Sequence, residues 1–214
     1  MILREFAAEG LHAWLLPCVQ ALPGISSDSR VLDLGCGTGA WLQRLGDLDF
    51  KDLTGIDRRP EDFAVKGARF ICGDLDQAAQ VELGTYGLIT AIEIIEHVAN
   101  PEAVIALAAA HLAPNGWLVI TTPNIYSLRW RLRFFLTGKL HGFDINAEPE
   151  HIHPWITDAA QRVILKRHGL EVEAMMTHDG NGSRWFARLA ASTLSLVLPN
   201  DLPGDTLCLF LRKH

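Results

Sequence analysis

Several features that define common protein classes are scarce or missing in this chain of 214 residues. Its four cysteines are scattered and include no C-x-x-C pair, which argues against a zinc or disulfide framework and favours a reducing cytoplasm. No apolar run reaches the 18 residues typical of a membrane-spanning helix, and the N-terminus carries charged residues unlike a signal peptide. Basic residues are outnumbered, with a formal net charge of −6, which disfavours a broad nucleic-acid-binding surface.

What the chain does have is a regular alternation of two kinds of segment. Strand-like segments occur at 30–34, 52–56, 68–72, 86–92, 116–121, 170–176 and 205–211. Helix-like segments occur at 3–22, 38–46, 76–82, 101–112 and 157–168. This alternation predicts an α/β fold with a doubly wound, mostly parallel seven-stranded sheet, and the length suits a single domain over 1–214. The first helix-like segment is expected to cover the sheet or to shield a site.

The turn after the first strand is the most informative stretch. Its three glycines, Gly35, Gly37 and Gly39, are spaced by one residue and follow Asp33. Backbone without Cβ atoms suits the close approach of a ligand, although the pattern differs from the G-x-G-x-x-G dinucleotide fingerprint. A carboxylate at Asp33 would repel a pyrophosphate, but it could accept hydrogen bonds from an ammonium group directly or through water.

Acidic residues follow the next two strands. Asp57 lies 20 residues after Gly37, the usual position for a carboxylate that binds both hydroxyls of a ribose. Asp74 and Leu75 follow the third strand, where they could contact the edge of an adenine. Either acid alone would more simply cap a helix or sit in a turn, but their appearance at successive strand ends favours a ligand.

These residues, together with the connection at 112–116, resemble the class I S-adenosylmethionine-dependent methyltransferases over residues 30–122. Asn115 stands where that family usually has glycine, and asparagine tolerates the left-handed turn needed there. The resemblance implies S-adenosyl-L-methionine as the cofactor. The residues that it implies for cofactor binding are Asp33, Gly35, Gly37, Gly39, Asp57, Asp74 and Leu75.

Two carboxylates and an imidazole follow the fourth strand, where this fold usually binds methyl acceptors. The run Glu93-Ile-Ile-Glu96-His97 resembles the O-methyltransferases of ubiquinone biosynthesis and the small-RNA 2′-O-methyltransferases. His151 and His153 follow later in the chain, and such a ligand set suits Mg²⁺ or Mn²⁺. The candidate metal ligands are Glu93, Glu96, His97, His151 and His153. The alternatives are a catalytic role for His97 as a base with Glu93, or a structural role.

The regular alternation stops at Pro123, and residues 123–156 show no clean period. A long irregular stretch in a compact domain is usually functional, which predicts a lid or substrate insertion here. Residues 125–143 combine aromatic and basic side chains, as in a mobile lid, an interfacial helix on anionic lipid, an RNA contact or a plain covering helix. The apolar stretch 184–198 is expected to form core, a pocket wall or a membrane-facing patch.

The resemblance and the residues together predict a cytoplasmic methyltransferase that acts on a small or lipid-like acceptor at oxygen, with peripheral membrane contact as one option. A metal-assisted RNA 2′-O-methyltransferase is the alternative enzyme, disfavoured by the net acidity. A cofactor-binding or partner-binding domain without activity is the alternative outside enzymes, disfavoured by the intact glycine turn. The sequence makes no prediction of oligomeric state.

Overall fold

The computed structural model describes residues 3–80, 83–143, 150–155, 161–179 and 203–214. The strands in these residues form one sheet: β1 (Arg30–Leu34), β2 (Asp52–Asp57), β3 (Arg69–Cys72), β4 (Tyr86–Ile92), β5 (Leu112–Pro123), β6 (Leu170–His178) and β7 (Thr206–Lys213). The strand order is β3-β2-β1-β4-β5-β7-β6, and β7 runs antiparallel to both of its neighbours while the other pairs are parallel. The predicted mostly parallel, seven-stranded sheet is confirmed.

The order of the strands reverses between β1 and β4, which lie side by side. In open α/β sheets the ligand sits outside the carboxyl ends of the strands at such a point. All the residues of β1 except the first are buried, and so are all but one in β4, because helices cover both faces of a parallel sheet. The fold therefore directs any ligand to the loops that follow β1, β2 and β4.

The α-helices are α1 (Leu11–Gln20), α2 (Ala40–Gly46), α3 (Pro101–His111) and α4 (Leu128–Thr137). The chain also contains a 3₁₀ helix over Leu75–Gln80 and a π-helical turn over Gln161–Leu165. The N-terminus of α3 is capped by Asn100, whose side chain accepts a hydrogen bond from the Ala103 amide at 3.2 Å. Pro101 then occupies a first-turn position, where its missing N–H costs nothing.

Alternate residues of the central strands divide between two apolar layers. Leu32 and Ile89 pack in the layer that contains α3, whereas Val31 and Leu88 pack with α1 and α2. Successive side chains of a strand point to opposite faces, so one apolar run fills both layers. This packing holds the carboxyl ends of β1 and β4 in register for the site.

Several predicted boundaries need correction. The helix expected over 3–22 begins only at Leu11, because Gly10 adopts a left-handed φ of 75° just before it. The described part of the segment 76–82 belongs to the 3₁₀ helix Leu75–Gln80 rather than to an α-helix, and the strand expected over 116–121 extends over Leu112–Pro123. The helix expected over 157–168 falls partly outside the described residues.

The segment 123–156 contains helix α4, although the sequence shows no clean helical period there. Within the 10 residues of this helix Leu128, Leu132, Phe135 and Leu136 do follow helical spacing, but only Leu128 is buried. The left-handed turn predicted at Asn115 is confirmed, with φ of 60°. None of the helices in the described part of the chain is long and apolar enough to cross a bilayer.

Candidate active site

A cavity of about 660 Å³ runs along the carboxyl ends of the strands. Its volume lies within the range of about 300–1,000 Å³ that is typical of ligand pockets. The glycine turn and the ends of β2 and β3 line one side, and the segments after β4 and α4 line the other. Among the predicted site residues, the lining includes Gly35, Gly37, Asp57, Asp74, Leu75, Glu93, His97 and His151.

The glycine turn is held against the end of β2 by backbone hydrogen bonds. The Gly35 amide donates to the Ile56 carbonyl at 2.8 Å, and the Gly37 amide donates to Oδ2 of Asp57 at 2.9 Å. Gly35 has a φ of 73°, and a Cβ there would come within 2.1 Å of Cδ1 of Ile94. Only glycine therefore fits at this position, for internal packing as well as for the approach of a ligand.

Asp57 and Asp74 occupy the predicted strand ends, and their surroundings differ. Asp57 is 7% exposed and also accepts a hydrogen bond from the Arg59 amide at 2.9 Å. Asp74 is exposed, and its Oδ1 accepts from the Asp76 amide at 3.0 Å, as expected for a turn residue. Leu75 beside it is buried and begins the 3₁₀ helix. Asp57 is thus a buried residue of the cavity lining, whereas Asp74 is a solvent-exposed one.

Asp33 lies next to the main cavity rather than in its wall. It lines a side cavity of about 30 Å³ together with Gly35 and Gly37, which has room for about one water molecule. Burial raises the pKa of Asp33 to about 7, although the Thr90 hydroxyl donates to its carboxylate at 2.6 Å. Gly39 directly precedes α2 and lines neither the main cavity nor the side cavity.

Glu93 enters the cavity directly after β4 in an unusual backbone conformation. Its φ is 50°, which is uncommon for a residue with a side chain and is often found at functional sites. Its amide donates to the Thr121 carbonyl at 3.2 Å, and the Thr121 hydroxyl donates to its Oε1 at 3.1 Å. These contacts with β5 hold Glu93 in the wall of the cavity.

Three of the five candidate metal ligands come together. Single ligand atoms of Glu96, His97 and His151 all lie within 4.8 Å of one another, and Glu96 is fully buried. The rings of His97 and His151 meet edge to face with centroids 4.5 Å apart. Glu93 and His153 lie outside this cluster, and Nε2 of His153 bonds to the Ala99 carbonyl at 3.1 Å.

Both histidines of the cluster are oriented by backbone carbonyls. Nδ1 of His97 bonds to the Glu150 carbonyl at 3.2 Å, and Nδ1 of His151 bonds to the Gly142 carbonyl. A carbonyl only accepts, so both Nδ1 atoms carry hydrogen and both Nε2 atoms keep a lone pair. The arrangement can therefore accept a proton or coordinate a cation.

The residues before α1, 3–10, form an N-terminal strap over the glycine turn. The Thr38 hydroxyl donates to the Arg4 carbonyl at 2.7 Å, and Nε of Arg44 donates to the Glu5 carboxylate at 2.8 Å. Phe6 covers Gly37, where a Cβ would come within 2.9 Å of its ring. The sequence suggested a shielding segment here, but no pattern singled out Phe6 as part of the cavity wall.

Sequence analysis also missed the anchor of α4. Nε1 of Trp130 donates to Oδ1 of Asp205 at 2.9 Å, and the His141 ring stacks on the indole with centroids 3.7 Å apart. Burial lowers the pKa of His141 to about 4. His141 and Asp205 both line the cavity, so the anchor of α4 is part of the site. The expectations for 184–198 fall outside the described residues.

Comparison with known proteins identifies the family. The family model described as a methyltransferase domain matches residues 3–175. The ubiquinone biosynthesis O-methyltransferase of Bordetella avium is 30% identical over 51% of this chain and 48% of its own length. That of Bordetella pertussis is 26% identical over 82% of this chain and 76% of its own length. The chain thus spans about half of the length of the first relative.

A solved structure shares the fold. The S-adenosylmethionine-dependent methyltransferase of Archaeoglobus fulgidus superposes with a TM-score of 0.67 over 95% of this chain and 93% of its own, at 16% identity. At that identity the likeness concerns the fold alone, whereas the family model covers most of the sequence. The chain therefore belongs to the methyltransferase-domain family, and its fold is that of the class I S-adenosylmethionine-dependent methyltransferases.

Proposed function

We propose that this chain transfers a methyl group from S-adenosyl-L-methionine to a hydroxyl oxygen of a small or lipid-like acceptor. The observation that carries the proposal is one cavity lined by two groups of residues: the glycine turn with Asp57, which we call the cofactor end, and Glu93, His97 and His151, which we call the acceptor end. Cofactor and acceptor can lie side by side there, and alignment of the reacting atoms supplies much of the rate of such a transfer. The relatives named as O-methyltransferases support oxygen as the acceptor atom.

The cofactor end fits the polar groups of S-adenosyl-L-methionine. A carboxylate offers about four lone-pair sites. Asp57 uses its oxygens for two backbone amides, which leaves acceptors for the ribose hydroxyls. Asp74 with the Leu75 backbone is proposed for the adenine edge, and Asp33 for the ammonium group through water. When bound, this cofactor supplies an electrophilic methyl group on a positively charged sulfur.

His97 is the proposed general base at the acceptor end. Its Nδ1 is tied to the Glu150 carbonyl, so Nε2 is the ring nitrogen proposed to take the proton of the acceptor hydroxyl. Glu93, which is held by Thr121, is proposed to accept a hydrogen bond from the substrate that receives the methyl group and so to orient that substrate. Residues 123–156 are the proposed insertion that covers the acceptor.

The same cluster fits a divalent cation. Metal-ligating histidines almost always donate their second ring N–H to a carbonyl or carboxylate, as His97 and His151 do here. Glu96 adds a hard oxygen ligand, which favours Mg²⁺ or Mn²⁺. Such an ion lowers the pKa of a hydroxyl bound to it. We propose Glu96, His97 and His151 as its ligands, without Glu93 and His153.

Two measurements test these proposals. Calorimetric titration with S-adenosyl-L-methionine should show binding, and transfer of a labelled methyl group should be found with phenols, catechols or their polyprenyl derivatives. Absence of cofactor binding would overturn the function. Excess chelator should then abolish transfer, leave cofactor binding intact, and be reversed by Mg²⁺ or Mn²⁺. Full activity in chelator would overturn the metal and leave His97 as a base.

A further inference from the structure

Helix α4 carries an apolar stripe that no described part of the chain covers. Phe135 is 83% exposed, Leu136 is 76% exposed and Leu132 is 47% exposed. At about 100° per residue, these positions lie within an arc of about 100° on the helix. Phe134, which is 50% exposed, lies off this arc, so the stripe is one continuous face of three residues and Phe134 is a separate exposed side chain.

The first turn of α4 is anchored to the rest of the fold. Leu128 is buried, and the Trp130 ring contacts both the Arg129 guanidinium, 4.0 Å from its centroid, and the His141 ring. Trp130 also bonds to Asp205, which directly precedes β7. The remaining turns of the helix project from this anchor with most of their side chains exposed.

The segment of sequence that carries the stripe is basic, although Asp205 contacts Arg129 and Trp130 in the first turn of α4. No acidic residue occurs between Glu102 and Asp144, although the formal net charge is −6. At helical spacing Arg131 lies on one side of the stripe, and Arg133 lies on the other. An apolar face bordered by arginines on both sides is the pattern of helices that lie in the interface of anionic lipid.

The position of α4 connects this face to the cavity. Pro123, before the helix, and His141 with Gly142, after it, all line the cavity. A surface that docks on α4 would therefore lie close to the residues on either side of this helix that line the cavity. This juxtaposition supplies a reason for an exposed apolar face at this point of the fold.

We propose that α4 docks this protein on the surface of an anionic lipid bilayer. Leu132, Phe135 and Leu136 enter the boundary between headgroups and acyl chains, and the positive charge of the α4 segment attracts the anionic headgroups. The cavity then opens at the lipid surface, within reach of an acceptor that resides there. The docking does not depend on the methyltransferase activity, so the two can fail separately.

Sedimentation with vesicles tests the proposal. The full chain should bind vesicles of phosphatidylcholine with phosphatidylglycerol, bind pure phosphatidylcholine weakly, and lose binding as salt is raised. The double variant Phe135→Ser/Leu136→Ser should bind the anionic vesicles roughly tenfold to hundredfold more weakly, because both apolar side chains are lost. The matched variant Met175→Ser/Met176→Ser changes two exposed apolar residues on β6 and should bind like the wild type.

The controls separate docking from folding and from self-association. Both double variants should keep the wild-type melting temperature and affinity for S-adenosyl-L-methionine. Two results would overturn the proposal: wild-type protein that does not sediment with anionic vesicles, or equal binding by the Phe135→Ser/Leu136→Ser variant. A wild-type dimer that this variant converts to a monomer, without vesicle binding, would assign the stripe to a second copy instead.

Discussion

The two ends of the cavity are built in different ways. At the cofactor end, neighbouring parallel strands supply the residues, and Asp57 reaches Gly37 across 20 positions of the chain. At the acceptor end, His97 meets Glu150 across 53 positions, and Trp130 meets Asp205 across 75. The first end is therefore built mainly from neighbouring strands and the turns that follow them, although Asp33 meets Thr90 across 57 positions, and the second depends on docking of segments outside the parallel strands.

This difference separates the expected effects of mutation. Changes at the cofactor end should lower the affinity for S-adenosyl-L-methionine, whereas changes at the acceptor end should lower the rate of transfer at saturating cofactor. A variant that changes both quantities would show that the two ends are coupled. The following predictions test the separation, beginning with the largest expected effect.

Replacing His97 by asparagine should lower kcat by about a hundredfold to ten-thousandfold, the usual contribution of a general base. Asparagine can still donate to the Glu150 carbonyl, so the local fold should persist. Transfer of labelled methyl at saturating cofactor measures the effect. His153→Asn is the matched control, since His153 lies outside the cluster, and it should retain most of the activity. Equal losses in both variants would contradict the assignment.

Asp57→Ala should weaken S-adenosyl-L-methionine binding by about tenfold to hundredfold, because it removes hydrogen bonds to a charged group. It also removes the acceptor of the Gly37 amide, so Asp57→Asn, which keeps an acceptor oxygen, should lose less. Calorimetry measures the affinity, and kcat at saturation should change little. Unchanged affinity in a folded Asp57→Ala protein would remove Asp57 from the site.

Cofactor affinity should depend on pH through Asp33. Burial raises the pKa of this carboxyl to about 7, so that it is largely protonated at lower pH. The positive charge of a bound ammonium would favour the ionised form, so binding would release a proton, and affinity would rise by up to about tenfold per pH unit until pH 7. Calorimetry in buffers of different ionisation enthalpy detects this proton. The profile should flatten in Asp33→Asn.

The same carboxyl affects stability in the opposite direction. Its pKa in the folded protein lies above the ordinary value of 3.8, so the folded state binds more protons between these two values. The free energy of unfolding of the cofactor-free protein should therefore fall as the pH rises toward 7. Denaturant titrations of wild-type and Asp33→Asn protein should differ in this slope.

The smallest effect is expected from the N-terminal strap. The Glu5–Arg44 pair is partly exposed, and such pairs contribute roughly 0–1 kcal/mol. Glu5→Gln should therefore raise the dissociation rate of S-adenosyl-L-methionine by only a few fold, measured by stopped-flow competition. Phe6→Ala should act in the same direction, because it uncovers Gly37. Lys51→Gln removes an exposed ion pair with Asp28 elsewhere and should have no effect.

The two groups of cavity residues also differ in how well the sequence alone predicts them. The glycine turn and the strand ends at Asp57 and Asp74 could be located from spacing, because parallel strands of similar length align their carboxyl ends. The side cavity of Asp33 could not, since it depends on how the strap covers the turn. The exclusion of His153 from the cluster could not either, because two residues of separation do not specify which ring turns inward.

The amino-acid sequence by itself determined the sheet, the order of its elements along the chain and the glycine turn, because apolar periodicity and turn chemistry act over short distances. It also determined the charge and apolar content of α4. Only the tertiary structure decided that Glu96 joins His97 and His151, that Phe6 covers the turn, and that α4 projects from a Trp130–Asp205 anchor. These contacts join distant segments, whose meeting depends on packing of the whole sheet and leaves no local pattern in the chain.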